Sequence, residues 1–252
     1  MNEEDLSADL PLGRNVQLIA QHPAGLLALH KPEGILSHPN RSGDQSKSLL
    51  HADYDDDLQA YLWTNASGEE QVLHLLHRLD SPTSGAILLS LDVQLADAVR
   101  TLFAERKVRK TYHALVQEKG RGNNETWKDK LEVTRRDGQL RVKRSPRGRE
   151  AVTKTCFVRQ RVGRNGLSLI RLEPITGITH QLRVQAALHG VCVVGDRTYG
   201  DFALNRRIGR DKKARRLFLH ASQVSLDLKW KGQTLAFDAE SPLPRPFGKA
   251  MS

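Results

Sequence analysis

The chain has 252 residues, a net charge of +10 and 38% hydrophobic content, which excludes a disordered chain and suits one large domain or two lobes. No apolar run approaches the about 20 residues that span a bilayer, and the acidic start "MNEEDLSADLPLG" lacks the basic and apolar regions of a signal peptide. Cys156 and Cys192 form no C-x-x-C pair, which argues against a zinc knuckle or a disulfide framework and fits two reduced thiols in a cytoplasmic protein.

The elements follow in chain order. After a leader over residues 1–15, expected to be mobile, "VQLIA" and "LLALH" read as two strands joined by the turn "QHPAG". "HKPEGILSHPN", with two prolines and a glycine, reads as an ordered loop. "SLLHADYDDDLQAYLW" is expected to be a helix with an acidic outer face. "VLHLL" and "GAILLSL" are apolar runs of strand length. "DVQLADAVRTLFAERKV" spaces Leu95, Val99, Leu102 and Phe103 as a helix does, with Asp92 as its N-cap. "KTYHALVQ" alternates as a strand. "LEVTRRDGQLRVKR" reads as a hairpin turning at Asp137-Gly138, and the basic stretch 119–150 around it as an arm.

"AVTKTCFVRQRV" and "GLSLIRLEP" form a further hairpin around "GRNG". "THQLRVQAALHG" fits a short helix with Thr179 as N-cap and Gly190 just past its end. "VCVVGD", "RLFLHASQVSLDL" and "QTLAFDA" supply the last strands. Many hairpin-connected strands with a few helices between them make a mixed α+β sheet protein.

Charge is concentrated along this chain. Residues 1–60 hold 4 basic and 10 acidic residues, whereas residues 100–164 hold 20 basic and 7 acidic. A second cluster, "NRRIGRDKKARR" at 205–216, has 7 basic residues and 1 acidic. Such clustering is the footprint of a surface that binds a polyanion, although arginines on exposed hairpins also serve solubility. No aromatic-anchored amphipathic helix accompanies it, which weighs against a membrane surface.

Three constellations carry chemistry. In "HRLDSPTSG", Arg78 and Asp80 are two apart and point the same way in an extended segment, while the residues from Pro82 to Gly85 fix a tight loop. A surface Arg-x-Asp alone is a solvated pair worth little. In "PITGITHQLRVQ", Gly177 and the following helix N-terminus can offer N–H groups to a phosphate, and His180 and Arg183 share a helical face. Arg183 could pair with Asp80 and hold it ionised, or be a surface arginine. Tyr112 in "RKTYHALV" is a strand tyrosine that could pack in the core, stack on a base or take a proton. His77 is expected to order its loop by a hydrogen bond, and "DYDDD" to be a solvated face with no calcium-loop spacing. "VVGD" with "TYG" reads as a structural turn without chemistry.

"ALHKPEGILSHP", "HRLDSPTSGAILLS", "RKVRKTYHALV", "EPITGITHQLRVQ", "VVGDRTYGD" and "RLFLHASQVSL" resemble, in order, the segments of the Rlu-type RNA pseudouridine synthases. The stand-alone, tRNA-modifying type of that family is similar too, down to "GD…YGD…NR" at 195–206. The likeness runs from about residue 16 to 240. It implies a mixed, largely antiparallel sheet in two lobes with flanking helices and a central active-site cleft. It also implies a single catalytic domain over 16–252, no S4 domain, and neither metal nor organic cofactor. By resemblance, Asp80 is the catalytic nucleophile, Arg78 fills the gap left by a flipped uridine, Tyr112 is the active-site tyrosine and Arg183 the basic partner of the aspartate. His77, Thr179, His180 and the arm residues Arg135, Arg136, Lys143 and Arg144 are expected to bind RNA.

Three departures bear on the substrate. Ile178 stands where the family has arginine, Gln185 where histidine is common and Ser81 where a basic residue is frequent. The expected activity is isomerisation of one uridine in tRNA or large-subunit rRNA by a monomer in the cytoplasm, with no membrane and no obligate protein partner. Two rivals stand beside it. One is a non-catalytic RNA-binding or ribosome-assembly factor on the same fold, which would have no use for a paired carboxylate. The other is a nucleosidase-like hydrolase, which would release free uracil.

Overall fold

A computed structural model describes residues 10–41, 43–118, 123–136, 139–163, 166–208 and 216–252. The chain divides into two compact units, 1–109 with 221–242 and 110–220 with 243–252. No helix among the described residues is long and apolar enough to cross a membrane.

In the first unit, β1 (Gln17–His22) and β2 (Leu26–Lys31) form the expected hairpin. β3 (Asp53–Asp55), β4 (Ala60–Thr64) and β5 (Glu70–Leu75) follow as an antiparallel meander. β6 (Ser84–Ser90) is buried at every position because it is hydrogen-bonded to β2, β5 and β13 (Leu219–Trp230). β14 (Gln233–Glu240) pairs with β13 around a two-residue turn, Lys231-Gly232, whose residues both have positive φ. Helix α1 (Val93–Ala104) is capped as expected, with the Asp92 carboxylate accepting from the Leu95 N–H. Its face of Leu95, Ala96 and Val99 closes a core with Leu26, Leu88, Leu226 and Phe237.

One expectation for this unit is corrected. The stretch 48–63 is not a helix but the β3–β4 hairpin. The Asp55 carboxylate accepts from the Asp57 and Leu58 N–H groups, and Gln59 sits at φ +50°, so local side-chain bonds displace the helical ones. In the last part of the leader, Leu10 is buried, Leu12 bridges Leu50 and the Gly13 N–H donates to the Leu49 carbonyl. Residues 1–9 lie outside the described residues.

The second unit is a sheet ordered β7 (Arg109–Glu118), β11 (Leu167–Pro174), β10 (Arg149–Val162), β8 (Thr126–Arg136) and β9 (Gln139–Arg144), with β12 (Val191–Val193) also on β7. Helix α2 (Gln181–Leu188) lays Leu182 and Ala186 against Ala114, Ile170 and Leu172. Two unforeseen short helices, α3 (Phe202–Ile208) and α4 (Arg245–Met251), bury Leu204, Ile208 and Phe247 in another cluster with Leu115 and Phe218. The β8–β9 ladder has the expected register, Arg136 opposite Gln139. Its turn at Asp137-Gly138, Arg164-Asn165 of "GRNG" and residues 209–215 of the second basic cluster lie outside the described residues.

Candidate active site

The loop carrying Arg78 and Asp80 is held from both ends and from below. At its start, His77 Nε2 accepts from the Leu88 N–H at 3.0 Å, the loop-ordering bond expected of it, and the ring leans on Phe103. At its end, Gly85, the second residue of β6, has φ +128°, and a Cβ there would sit on the Ala221 backbone; glycine is the residue that fits. Between them the Thr83 N–H returns to the Asp80 carbonyl at 2.9 Å, closing the turn that "DSPT" promised.

The support comes from residues 31–37, read in the sequence as part of an ordered loop but given no role of their own. Leu79 is buried, and Ser37 Oγ bonds to both of its backbone groups, accepting from the N–H at 3.0 Å and donating to the carbonyl at 2.8 Å. The Lys31 ammonium, with no exposed surface, donates to the carbonyls of Pro32, Ile35 and Ser81 at 3.1, 2.6 and 3.1 Å. The Gly34 N–H also donates to the Ser81 carbonyl, and Ser81 Oγ donates to the Gly34 carbonyl. Two loops far apart in sequence are thus laced together, with Leu79 inward and its neighbours Arg78 and Asp80 turned away from it. Asp80 is half-buried and Arg78 exposed. Arg78 Nη1 meets His38 Nε2 at 3.1 Å.

In the second unit, α2 begins at Gln181, and its N-cap residue is His180, not Thr179. His180 occupies the N-cap position in the left-handed region at φ +55° without a side-chain cap bond. The first helical residue instead ties down the chain that leads into the helix: Gln181 Oε1 accepts from the Ile178 N–H at 3.1 Å and from Thr176 Oγ1 at 2.8 Å. The Ile178 N–H, next to the Gly177 foreseen at a phosphate site, is therefore already taken. The other two departures can be placed as well. Ile178 is an apolar core contact with Leu131, Val142 and Val184, so no cation is placed there. Gln185 is fully buried; its Nε2 donates to Asp129 Oδ2 at 2.9 Å and its Oε1 accepts from Thr153 Oγ1 at 2.7 Å, tying α2 to β8 and β10.

Arg183 is 6% exposed and Asp196 1%. Arg183 Nε and Nη2 donate to Asp196 Oδ2 and Oδ1 at 2.7 and 2.9 Å. Asp196 Oδ1 also accepts from the Thr198 and Tyr199 N–H groups. Burial alone would raise the Asp196 pKa, but the bonds and charge of Arg183 and the two N–H groups hold it below the ordinary value. Tyr199 lies under the Arg183 guanidinium at 5.2 Å, accepts from the Val142 N–H and shares a hydrogen bond with His180 Nδ1 at 2.9 Å. His180 and Arg183, foreseen as neighbours, do meet around one residue. "VVGDRTYG" is a turn, as read, but its Asp196 and Tyr199 are the partners that sequence reasoning missed. The residues after Gly195 gave no periodic signal of this.

Tyr112 lies half-buried in β7 opposite Leu172, beside the apolar cluster that α2 covers. The arm residues Arg135, Lys143 and Arg144 are exposed on β8 and β9, with Lys143 3.9 Å from Glu132. The base of this hairpin is clamped by Tyr199 at Val142 and by the packing of Leu131 on Val184, so arm and helix are one built piece of the second unit.

Residues 25–188 match the family described as RNA pseudouridylate synthase. The chain is 34% identical over 225 residues to an uncharacterized RNA pseudouridine synthase of Bacillus subtilis (strain 168), with 87% of this chain covered. It spans 66%, about two thirds, of that relative's length. It is 30% identical over 234 residues to the tRNA pseudouridine synthase C of Salmonella typhimurium, covering 89% of this chain and 85% of that one. The solved structure of human RNA pseudouridylate synthase domain containing 4 superposes with a TM-score of 0.63 at 27% identity, over 91% of this chain and 90% of that one.

Proposed function

The chain belongs to the RNA pseudouridylate synthase family, and from that footing we propose that Asp80 is the nucleophile acting on a uridine flipped out of a tRNA. The reaction breaks the N1–C1′ bond and makes a C5–C1′ bond; C5 gives up its proton and N1 takes one up, so the product is an isomer, with no oxidation or reduction. A single positioned carboxylate starts it, by attack on the base or at C1′.

The observation that carries this reading is the fixing of the Asp80 loop. Ser37 pins both backbone groups of the preceding residue, and Lys31 and Gly34 hold the carbonyl of the following one. A catalytic group needs such supports, because a misplacement of about 1 Å costs orders of magnitude in rate. A solvated surface pair needs none of them.

The other roles are assigned with it. Arg78 enters the stack as the uridine leaves, offsetting part of the few kcal/mol that flipping costs. Tyr112 serves the ring or its C5 proton, and Arg183 is the fixed cation of the reaction. His77 orders the Arg78 loop at the RNA surface, and Thr179 and His180 lie at the start of the helix that presents Arg183. Arg135, Arg136, Lys143 and Arg144 bind phosphates along the arm. The tRNA assignment is supported by the relatives that are tRNA pseudouridine synthases C. The protein works as a cytoplasmic monomer without an obligate protein partner.

The test is incubation of the purified protein with tRNA from a strain lacking the gene, followed by nucleoside analysis. Pseudouridine must appear with wild type and not with Asp80→Asn. Free uracil in place of pseudouridine would make the protein a hydrolase instead.

A further inference from the structure

Arg78 is exposed, yet its guanidinium is held. Nη1 donates to His38 Nε2 at 3.1 Å, and His38 Nδ1 lies 2.9 Å from the Pro39 carbonyl oxygen. A carbonyl only accepts and a guanidinium only donates. One species satisfies both contacts: a neutral imidazole with its hydrogen on Nδ1 and its lone pair on Nε2.

That ring is itself fixed. It lies flat on Tyr54, with centroids 4.7 Å apart and planes 19° apart, and Tyr54 meets Tyr61 edge-on at 5.1 Å. Tyr61 donates its hydroxyl to the Ser37 carbonyl at 2.7 Å. Ser37 is also the residue that pins Leu79, between Arg78 and Asp80. One cluster therefore sets both the backbone under Arg78 and the acceptor at its tip. Tyr54 comes from the acidic hairpin that the sequence offered only as a solvated face.

We propose that His38 is a positioning residue: stacked on Tyr54, it holds the Arg78 guanidinium where it must stand to enter the RNA stack. The inference rests on the role given to Arg78 above. An arginine side chain loses rotamer freedom when it inserts, and ordering it beforehand moves that cost out of the reaction. A neutral acceptor suits the task better than a carboxylate. It orients the cation without cancelling its charge, and it does not repel the incoming phosphates.

The experiment measures pseudouridine formation by purified full-length proteins on tRNA and rRNA pools from a strain lacking the gene. His38→Phe keeps a ring on Tyr54 and removes the acceptor; His38→Gln keeps an acceptor. Loss of a hydrogen bond to a charged group predicts kcat about tenfold lower for His38→Phe, with KM within about twofold. His38→Gln recovers most of that loss. In an Arg78→Ala background, His38→Phe has no further effect, which a merely structural role would not produce. Should His38→Phe fail to fold, His38→Ala supplies the same comparison.

Full activity of His38→Phe, or an equal loss in the Arg78→Ala background, overturns the inference while the proposed activity stands. No pseudouridine from wild type on either pool overturns the proposed activity, and the inference falls with it.

Discussion

Arg183 and Asp196 form a buried two-point ion pair, Nε to Oδ2 at 2.7 Å and Nη2 to Oδ1 at 2.9 Å, at the start of α2, the helix that packs on the base of the basic arm. Breaking such a pair from one side takes a two-point acceptor away from a buried guanidinium. Asp196→Ala is expected to destabilise the protein by about 3–5 kcal/mol. Asp196→Asn, which keeps the size and an acceptor, should lose less. Denaturant titration of the two variants against wild type checks the order.

The same pair predicts a response to acid. The Asp196 pKa is lowered in the folded protein from the ordinary 3.8, so the folded state binds the proton less readily than the unfolded chain. Its contribution is complete above that ordinary value and is lost as the pH falls through the lowered folded one. Melting temperature followed from pH 7 downward should therefore fall more steeply below about pH 4 for wild type than for Asp196→Asn, which cannot titrate. Parallel curves would show that Asp196 is not the group responsible.

Ser37→Ala removes both hydrogen bonds that hold Leu79, leaving a buried N–H and carbonyl without that partner. A stability loss of about 1–3 kcal/mol is expected. If the loop is held for chemistry, kcat should fall with it while RNA affinity changes little, which single-turnover kinetics beside a binding titration will show.

Much of the fold is legible in the sequence where its pattern is local. The apolar runs in "LLALH" and "GAILLSL" and the 3.6-residue spacing from Leu95 to Phe103 are short-range signals, and the structure follows them. "DYDDD" misleads because helical spacing is only one use of aspartates; here Asp55 bonds its own backbone two and three residues on and makes a turn. The site is legible in part for the same reason. "HRLD" and "THQLR" identify the reacting segments, but the groups that hold them lie across the fold. Ser37 is 42 residues from Leu79, and His38 is 40 from Arg78. No periodicity links such pairs, so Ser37, His38, Tyr54 and Asp196 become visible only once the chain is folded.

The arm makes a prediction of its own. Replacing Arg135, Lys143 and Arg144 with glutamine should weaken RNA binding and flatten its salt dependence by roughly 0.7–0.9 in log–log slope for each phosphate that is no longer neutralised. Because these side chains stand on the exposed strands of a hairpin and not in the Asp80 loop, kcat at saturating RNA should hold. An unchanged slope would move the RNA path off the arm.

The most direct measurement is carbodiimide mapping of pseudouridine in total tRNA and rRNA from the parent strain and from a deletion rescued with wild type or with Asp80→Ala. The account predicts that one tRNA position loses its signal in the deletion and regains it only with wild type. A position restored equally by Asp80→Ala would contradict the assignment of Asp80 as nucleophile and, with it, the reason for the laced loop.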